Sequence, residues 1–387
     1  MSHFPKQADP YRLRLPGPTA VPERVRQAIA RPVVSHRGSE FVAVIHRAEE
    51  LLKPILGTRN PVMFLACSGT GVMEASLVNI LAPGERVLVC VNGQFGERFA
   101  AIARALGANV DVLDVAWGQA LDAAEIEKRV AAVDYRAVVA VHNESSTGVV
   151  ADLAAIGKML RDRPTLLVVD SVSGLGGIDM RQDEWGVDIV ASSSQKALMC
   201  PPGVGVVSVS PKAWEVVNRE SGMPRFYWDF RKAMKAGETL ETPFTPALSL
   251  IVGLREALEM IHEEGLPQAL ARHKRLSSAL RNGCAALGLS SFPQADALSS
   301  TVVVLNVPEK LDGGDIVRRL YECHGTVIAG SRNKLSGRVI RIGTMGSVQA
   351  GDIVTDLLHM EAVLRELGSK VKAGAGVAAA MDFLDAR

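Results

Sequence analysis

Apolar and polar residues follow two different patterns along this chain. Between about residues 40 and 210, short apolar runs such as 166–169 alternate with stretches such as 153–160, where apolar residues recur every three or four positions. Uninterrupted apolar runs of strand length predict buried parallel strands, and the wider spacing predicts amphipathic helices. The alternation therefore predicts βαβ units and an α/β fold with a mostly parallel sheet between helices.

The pattern changes near residue 266. A long helix is predicted over 246–265, with Leu250, Leu254, Leu258 and Ile261 on one stripe. Beyond it the pattern predicts helices at 267–287, 313–324 and 351–367, and strands at 300–307, 326–329 and 339–342. This order is typical of a smaller α+β domain with a mostly antiparallel sheet. We expect an N-terminal arm over residues 1–20, extended over a partner subunit, a large domain over 21–265 that includes the 246–265 helix, and a small domain over 266–387.

Composition narrows the class of protein. The chain has 387 residues, of which 48% are hydrophobic, so it can bury large cores. A net charge of +1, without a run of basic residues, argues against a nucleic-acid surface. The apolar stretches are shorter than the roughly 20 residues of a membrane span, and residues 1–12 lack the apolar core of a signal peptide. The five cysteines are scattered and show no metal-binding spacing. A cytoplasmic protein without a metal site is expected.

Two polar residues follow apolar runs in the half that predicts the parallel sheet. Asp170 ends the run Leu166–Val169, and Lys196 follows the run Val187–Val190 and three serines. Because parallel strands end at the same edge of a sheet, both side chains are expected to reach one crevice. A lysine can form a Schiff base with an aldehyde cofactor, and an aspartate can keep a pyridine nitrogen protonated. Together they suggest pyridoxal 5'-phosphate (PLP), although each alone is more often a surface lysine or a turn-capping aspartate.

Three further polar loops stand at predicted strand ends. Ser68-Gly69-Thr70 precedes a helix, and a glycine-containing turn that opens a helix offers backbone N–H groups and hydroxyls to a phosphate. Phe95 lies in a glycine-flanked loop, where it can stack on a planar ring or pack in the core. The loop 142–148 carries hydroxyls and a carboxylate; His142 within it receives no catalytic role.

In this order the motifs resemble the signature of class V aminotransferases, with most similarity to the alanine–glyoxylate and serine–pyruvate aminotransferase group. The resemblance runs from Pro16-Gly-Pro-Thr19 to Arg341-Ile-Gly343 and covers nearly the whole chain. It implies PLP-dependent transferase fold type I, a large domain with a sheet of the seven-stranded type, a smaller C-terminal domain, and a homodimer with active sites at the subunit interface.

The resemblance also implies a role for individual residues. Lys196 would form the aldimine with PLP and then move the proton between the substrate Cα and the cofactor, while Asp170 would bond the pyridine nitrogen. Val172 and Phe95 would cover the two ring faces; many relatives carry Trp where Phe95 stands. The remaining cofactor contacts would come from Ser68, Gly69, Thr70 and Gln195 at the phosphate, Ser145 or Thr147 near the ring hydroxyl, and Thr245 at the phosphate of the other subunit. Thr242 stands where relatives often have Tyr, which leaves its contribution open.

Two arginines are candidates for substrate binding. The resemblance implies that Arg341 clamps the substrate α-carboxylate, and a guanidinium suits this because it binds a carboxylate with two hydrogen bonds and keeps its charge. Arg332 stands where much of the family has Gln. If it faced the same pocket, it would favour a substrate with a second negative group, or an oxygen-rich one. An exposed loop position for Arg332 is the alternative. If Arg332→Gln left the preference between monocarboxylate and dicarboxylate substrates unchanged, the second clamp would be excluded.

The expected reaction is transamination from alanine or serine to glyoxylate or pyruvate, in a ping-pong sequence through the Lys196 aldimine. Other donors remain open, namely aspartate, 2-aminoethylphosphonate and pyridoxamine. A lyase or desulfurase is a rival within the fold, but related desulfurases have His where Gln195 stands. A nucleotide-binding regulatory module without chemistry is a rival of another class, and absence of PLP binding would favour it.

Overall fold

The computed structural model describes residues 11–331 and 333–385. Its strands are β1 Arg12–Leu13, β2 Val62–Leu65, β3 Arg86–Val91, β4 Asn109–Asp114, β5 Ala137–Val141, β6 Asn143–Glu144, β7 Val149–Val150, β8 Leu166–Asp170, β9 Ile189–Ser193, β10 Gly205–Val209, β11 Val302–Asn306, β12 Thr326–Val327, β13 Ala329–Gly330 and β14 Val339–Gly343. Its helices are α1 Glu23–Ile29, α2 Ser39–Leu56, α3 Gly69–Val78, α4 Gln94–Ala105, α5 Ala123–Ala132, α6 Leu153–Leu160, α7 Gln182–Trp185, α8 Pro211–Val217, α9 Phe230–Gly237, α10 Leu248–Glu264, α11 Leu266–Ala286, α12 Gly313–His324, α13 Ala350–Glu366 and α14 Ala375–Leu384, with a 3₁₀ helix at Asn333–Leu335.

The large sheet has seven strands in the order β2-β10-β9-β8-β5-β3-β4. The run from β9 to β4 is parallel, whereas β10 pairs antiparallel with both of its neighbours. This confirms the prediction of a mostly parallel sheet in an α/β fold. The carboxyl ends of β3, β5, β8 and β9 consequently meet at one edge, which is where ligands bind to open α/β sheets.

Both faces of this sheet are buried, which explains why its strands are uninterrupted apolar runs. Successive side chains of a strand point to opposite faces. In β5, Val138 and Ala140 join the core beneath α2, α5, α6 and α10, while Val139 and Val141 join the core beneath α3 and α4. The stripe predicted on the long helix is buried in the first core at Leu254, Leu258 and Ile261, and Leu250 packs against its edge.

A second, antiparallel sheet has the order β11-β14-β13. One of its faces packs with α11–α14 through side chains such as Val303 and Ile340. The opposite face contributes Val302 and Val304 to a small cluster with Ala197, the residue after Lys196. This sheet therefore borders the region where the candidate residues gather. The predicted domain boundaries at residues 20 and 265 stay predictions.

The strand predicted at 326–329 is divided in two. Thr326–Val327 pairs in parallel with β1, and Ala329–Gly330 pairs with β14. Ile328 between them is buried in the core that the antiparallel sheet forms with α11–α14. None of the helices within residues 11–331 and 333–385 combines the length and the apolar character that a membrane crossing requires.

Candidate active site

Asp170 and Lys196 lie at the carboxyl ends of adjacent strands. Asp170 is the last residue of β8 and pairs with Ala191 of β9, and Lys196 follows the end of β9 by three residues. Burial raises the pKa of Asp170 to about 6, although a hydrogen bond from Val172 N–H at 2.7 Å and the charge of Lys196 oppose that rise. Burial lowers the pKa of Lys196 to about 8, against the attraction of Asp170 and with the help of Arg341 and Arg98. The two groups thus share one electrostatic environment, and the lysine amine loses its proton more readily than an exposed one.

The N-terminal arm covers Lys196. The Lys196 ammonium donates a hydrogen bond to the carbonyl of Pro16, and the Thr19 hydroxyl donates to the Lys196 carbonyl at 2.9 Å. Residues 11–20, the described part of the predicted arm, pair with β12 and reach Lys196 within the same chain. The expectation that the arm also extends over a partner subunit stays a prediction. Within the arm, the Arg14 guanidinium forms an ion pair with the buried Asp356 carboxylate at 2.6 Å. This ion pair anchors the arm to α13.

Gly17 allows this close approach. Its φ is +111°, a backbone conformation that favours glycine, and a Cβ atom at this position would lie 2.6 Å from Lys196 Cε. Gly17→Ala is therefore expected to displace either the arm or the lysine and to lower kcat at least about tenfold, beyond its cost in stability. Gly84→Ala is the matched control, because Gly84 also has positive φ (+82°) but no atom within 4 Å of the added carbon. Equal kcat in the two variants would show that Gly17 makes no room for Lys196.

The turn Ser68–Thr70 opens α3 at the same edge of the large sheet. Ser68 is the N-cap residue, and its side chain makes no capping bond. Gly69 is buried, and a Cβ there would come 3.0 Å from a methyl of Val172 and 3.2 Å from the hydroxyl of Ser193. Gly69 therefore packs against both Val172 and Ser193. The first turn of α3, which begins at Gly69, has backbone N–H groups without a partner inside the helix.

This region fits a phosphorylated aromatic cofactor. Within residues 11–331 and 333–385, the buried Ser193 hydroxyl and Gln195 Oε1 have no hydrogen-bond partner. A buried polar atom without a partner costs free energy, and the Ser193 hydroxyl beside the start of α3 is free to donate to a ligand there. Hydroxyl, amide and helix-terminal N–H donors are the groups that bind a phosphate, and Asp170 supplies the carboxylate that a pyridinium nitrogen requires.

The loop after β5 is organised by Glu144. Its fully buried carboxylate accepts hydrogen bonds from Phe95 N–H at 2.9 Å, Gly96 N–H at 3.2 Å and the Ser146 hydroxyl at 2.6 Å. Burial raises the pKa of Glu144, and these hydrogen bonds oppose the rise. A carboxylate at the N-terminus of α4 is favourably placed in the helix dipole, and it fixes the backbone of Phe95 beside the strand ends.

Arg341 connects the second sheet to this loop. Its guanidinium donates to the carbonyl of Gly330 at 2.9 and 3.1 Å and to the carbonyl of Ser145 at 3.2 Å. These carbonyls orient the guanidinium. Ser145 and Thr147 are both buried, and the Thr147 hydroxyl donates to the Asn92 carbonyl at 3.3 Å. Arg341, Ser145 and Lys196 thereby converge from three segments that are distant in sequence.

Two predicted residues are not part of the cluster described above. Arg332 falls outside the described residues, so the second clamp stays a prediction. Thr245 is exposed and lines a groove with Ala66, Tyr227 and Phe244.

His142, which received no catalytic role from the sequence, is buried. Its Nδ1 is 2.9 Å from the hydroxyl of Ser171, and burial lowers its pKa to about 4. It is accordingly a neutral packing residue.

The structure adds residues that the motifs did not reveal. Pro16, Thr19, Ser193 and Arg98 all contact residues of the candidate site. Pro16 and Thr19 belong to the Pro-Gly-Pro-Thr segment at the end of the predicted arm, where the family resemblance begins, but the sequence assigned neither residue a role in the site. Ser193 is one of three consecutive serines, and nothing local distinguishes it. Arg98 is a charged residue on a helix, a position that is usually solvated.

Comparison with known proteins places this arrangement in a family. The family model Aminotransferase class-V matches residues 19–345. The chain is 38% identical over 377 residues to the soluble hydrogenase 42 kDa subunit of Anabaena cylindrica, covering 96% of this chain and 98% of that protein. It is 37% identical over 383 residues to the serine–glyoxylate aminotransferase of Arabidopsis thaliana, covering 97% and 95%. The crystal structure of an alanine–glyoxylate aminotransferase from Nostoc sp. matches with a TM-score of 0.90 at 32% identity, covering 94% of this chain and 98% of the other.

Proposed function

We propose that this chain, which belongs to the class V aminotransferases and is a PLP-dependent aminotransferase of fold type I, acts on small substrates. In the proposed reaction, the amino group of alanine or serine is transferred to glyoxylate or pyruvate. The observation that carries the proposal is the convergence of Lys196, Asp170 and Arg341 at one edge of the large sheet, close enough for each charge to affect the pKa of Lys196. An amine, a carboxylate and a guanidinium are the three groups that transamination of an amino acid requires.

In this proposal the cofactor is held at the carboxyl ends of the strands. Asp170 bonds the pyridine nitrogen, and its burial makes that contact strong because little water competes with it. The ring faces are covered by Val172 and Phe95. The other proposed contacts are Ser68, Gly69, Thr70 and Gln195 at the phosphate and Ser145 or Thr147 at the ring hydroxyl. For Gln195, the Nε2 amide would be the group that donates to the phosphate, while its Oε1 has no partner among the described residues.

Lys196 performs the proton transfer. When bound, PLP withdraws electrons from the substrate Cα and carries the amino group from donor to acceptor. The residue that removes the Cα proton must be a neutral amine, and a pKa near 8 leaves an appreciable fraction of Lys196 in that form around neutral pH. Pro16 supplies a carbonyl that can hold the free amine close to the reacting atoms.

Arg341 orients the substrate. Its carbonyl partners Gly330 and Ser145 hold the guanidinium plane in place, so a carboxylate is met by a pre-organised donor pair. Gln195 further favours transamination over a desulfurase reaction, because an amide cannot donate a proton to a cysteine-derived leaving group as a histidinium can.

A cytoplasmic homodimer is also part of the proposal. Phe226 is 69% exposed and Tyr227 is 42% exposed, and both rings pack against Phe244 at 5.5 and 5.1 Å between centroids. Thr245 is exposed beside this aromatic face. If a second copy packed there, the Thr245 hydroxyl of one subunit would bind the cofactor phosphate of the other. Aromatic side chains are enriched in such interfaces. Light scattering that gave the mass of one chain at micromolar concentration would contradict the dimer.

The choice of substrate is tested by a donor panel. With glyoxylate as acceptor, kcat/KM is expected to be highest for alanine or serine, and lower for aspartate, 2-aminoethylphosphonate and pyridoxamine. The reason is that aspartate carries a second carboxylate, whereas Arg341 of the proposed site binds only the α-carboxylate. Measuring oxo-acid release for each donor at equal concentration provides the comparison. A kcat/KM for aspartate above those of both alanine and serine would overturn this assignment while leaving transamination intact.

A further inference from the structure

Arg98 joins two parts of the site that come from different helices. It lies in the first turns of α4, where its Nη1 donates to the Thr70 hydroxyl at 3.1 Å. Its guanidinium carbon also stands 4.6 Å from the centre of the Phe95 ring, within the range of a cation–π interaction. One side chain therefore contacts both the turn that opens α3 and the ring of Phe95, three residues earlier in α4.

Arg98 makes no ion pair among the described residues, although its charge is felt by Asp170 and Lys196. Among residues 11–331 and 333–385, no carboxylate lies within ion-pair distance of Arg98, and its neighbour Glu97 is paired with Lys334 at 3.1 Å. The groups proposed for the cofactor phosphate, by contrast, are neutral hydroxyls, an amide and backbone N–H groups. A phosphate monoester carries a charge of about −1.5 to −2 at neutral pH. An anion at the start of α3 would be attracted by the guanidinium of Arg98, which no ion pair among the described residues neutralises.

The hydrogen bond to Thr70 has a defined direction. A guanidinium has no acceptor, so the Thr70 oxygen accepts from Arg98 and the Thr70 hydroxyl hydrogen is left to donate elsewhere. A hydroxyl that accepts from a cation becomes a better donor, because hydrogen bonds in a chain polarise one another. Arg98 thus prepares Thr70 to donate to an anion at the start of α3.

We propose that Arg98 determines the preference of this site for a phosphorylated cofactor, by adding positive charge to the Ser68–Thr70 turn and by orienting the Thr70 hydroxyl. The inference rests on the proposed function in one respect, the placement of the cofactor phosphate at this turn. Arg98 acts through Thr70 and is a positioning residue.

The test compares two ligands that differ only in the phosphate. Dissociation constants of the apoenzyme for PLP and for pyridoxal are measured in the wild type, Arg98→Gln and Arg98→Lys, with Arg104→Gln as the control on the exposed side of the same helix. Arg98→Gln is expected to weaken PLP binding at least about tenfold, because the phosphate loses the attraction of the Arg98 charge and the strengthened hydrogen bond from Thr70. Pyridoxal has no phosphate, so its binding should change little. Arg98→Lys, which keeps the charge without the planar fork, is expected to be intermediate.

The outcomes separate the inference from the function on which it rests. If wild type bound pyridoxal as tightly as PLP, the phosphate placement itself would be wrong. If wild type preferred PLP and Arg98→Gln kept that preference unchanged, only the role of Arg98 would fail. Equal weakening of both ligands in Arg98→Gln would also overturn it, because the residue would then act on the ring through Phe95. A loss confined to PLP, partly restored in Arg98→Lys and absent in Arg104→Gln, supports it.

Discussion

Replacing Lys196 by alanine is expected to lower kcat for transamination by at least about 10⁴-fold, because general base catalysis alone contributes up to that factor and Lys196 is also proposed to attach the cofactor. The fold should persist, since the side chain is only partly buried and its removal leaves the strands and the arm in place. Amino-acid-dependent release of oxo acid, followed with purified protein at saturating PLP, measures the effect.

Two comparisons make this first prediction specific. Lys158→Ala removes an exposed lysine from α6 and should leave kcat unchanged. Added methylamine should restore part of the activity of Lys196→Ala, since the missing group is an amine in an otherwise intact site. If Lys196→Ala turned over alanine or serine within tenfold of the wild type, the assignment of Lys196 as base and attachment point would be excluded.

Replacing Arg341 by glutamine is expected to lower kcat/KM for both donor and acceptor by about 10² to 10⁴, because two charge-assisted hydrogen bonds of roughly 1.5–3 kcal/mol each are lost. The loss should fall mainly on KM if the carboxylate is held equally in the ground state and the transition state. PLP affinity should change little, because Arg341 is proposed to contact the substrate and not the cofactor.

Arg341 also bonds Gly330 and Ser145, so a structural effect must be separated from a binding effect. Arg341→Lys keeps the charge and should recover part of kcat/KM, which a purely structural loss would not do. Arg338→Gln, which removes an exposed arginine just before the same strand, serves as the control. Values of KM for Arg341→Gln that matched those of Arg338→Gln would place the carboxylate clamp elsewhere.

The sequence predicted the parallel sheet well because its strands are buried on both faces. The run Leu166–Asp170 was predicted with the bounds that the structure shows, since an apolar run ending in a charged residue marks a strand end directly. The run 326–329 was predicted as one strand, yet its two halves pair with β1 and β14. Pairing partners depend on contacts that are remote in sequence, and an apolar run of four residues does not identify them.

The same distinction applies to the candidate site. Asp170 and Lys196 could be expected to meet because both follow strands of one parallel sheet. The contact of Pro16 with Lys196 spans 180 positions and depends on how an irregular arm crosses the sheet edge, which no periodicity describes. Arg98 resembled a solvated helix residue in the sequence. Phe95 lies three positions before it on the same helix, but only the approach of α3 to α4 gives Arg98 the Thr70 hydroxyl as a partner.

The central claim is that one site, built around Lys196, exchanges an amino group between a small amino acid and a 2-oxo acid. The most direct measurement mixes holoenzyme with alanine or serine in the absence of any acceptor. The account predicts one equivalent of oxo acid per site, loss of the visible absorbance of the bound cofactor, and its return when glyoxylate is added and converted to glycine. Continued release of oxo acid without an acceptor, or an absorbance that no amino acid changes, would contradict it.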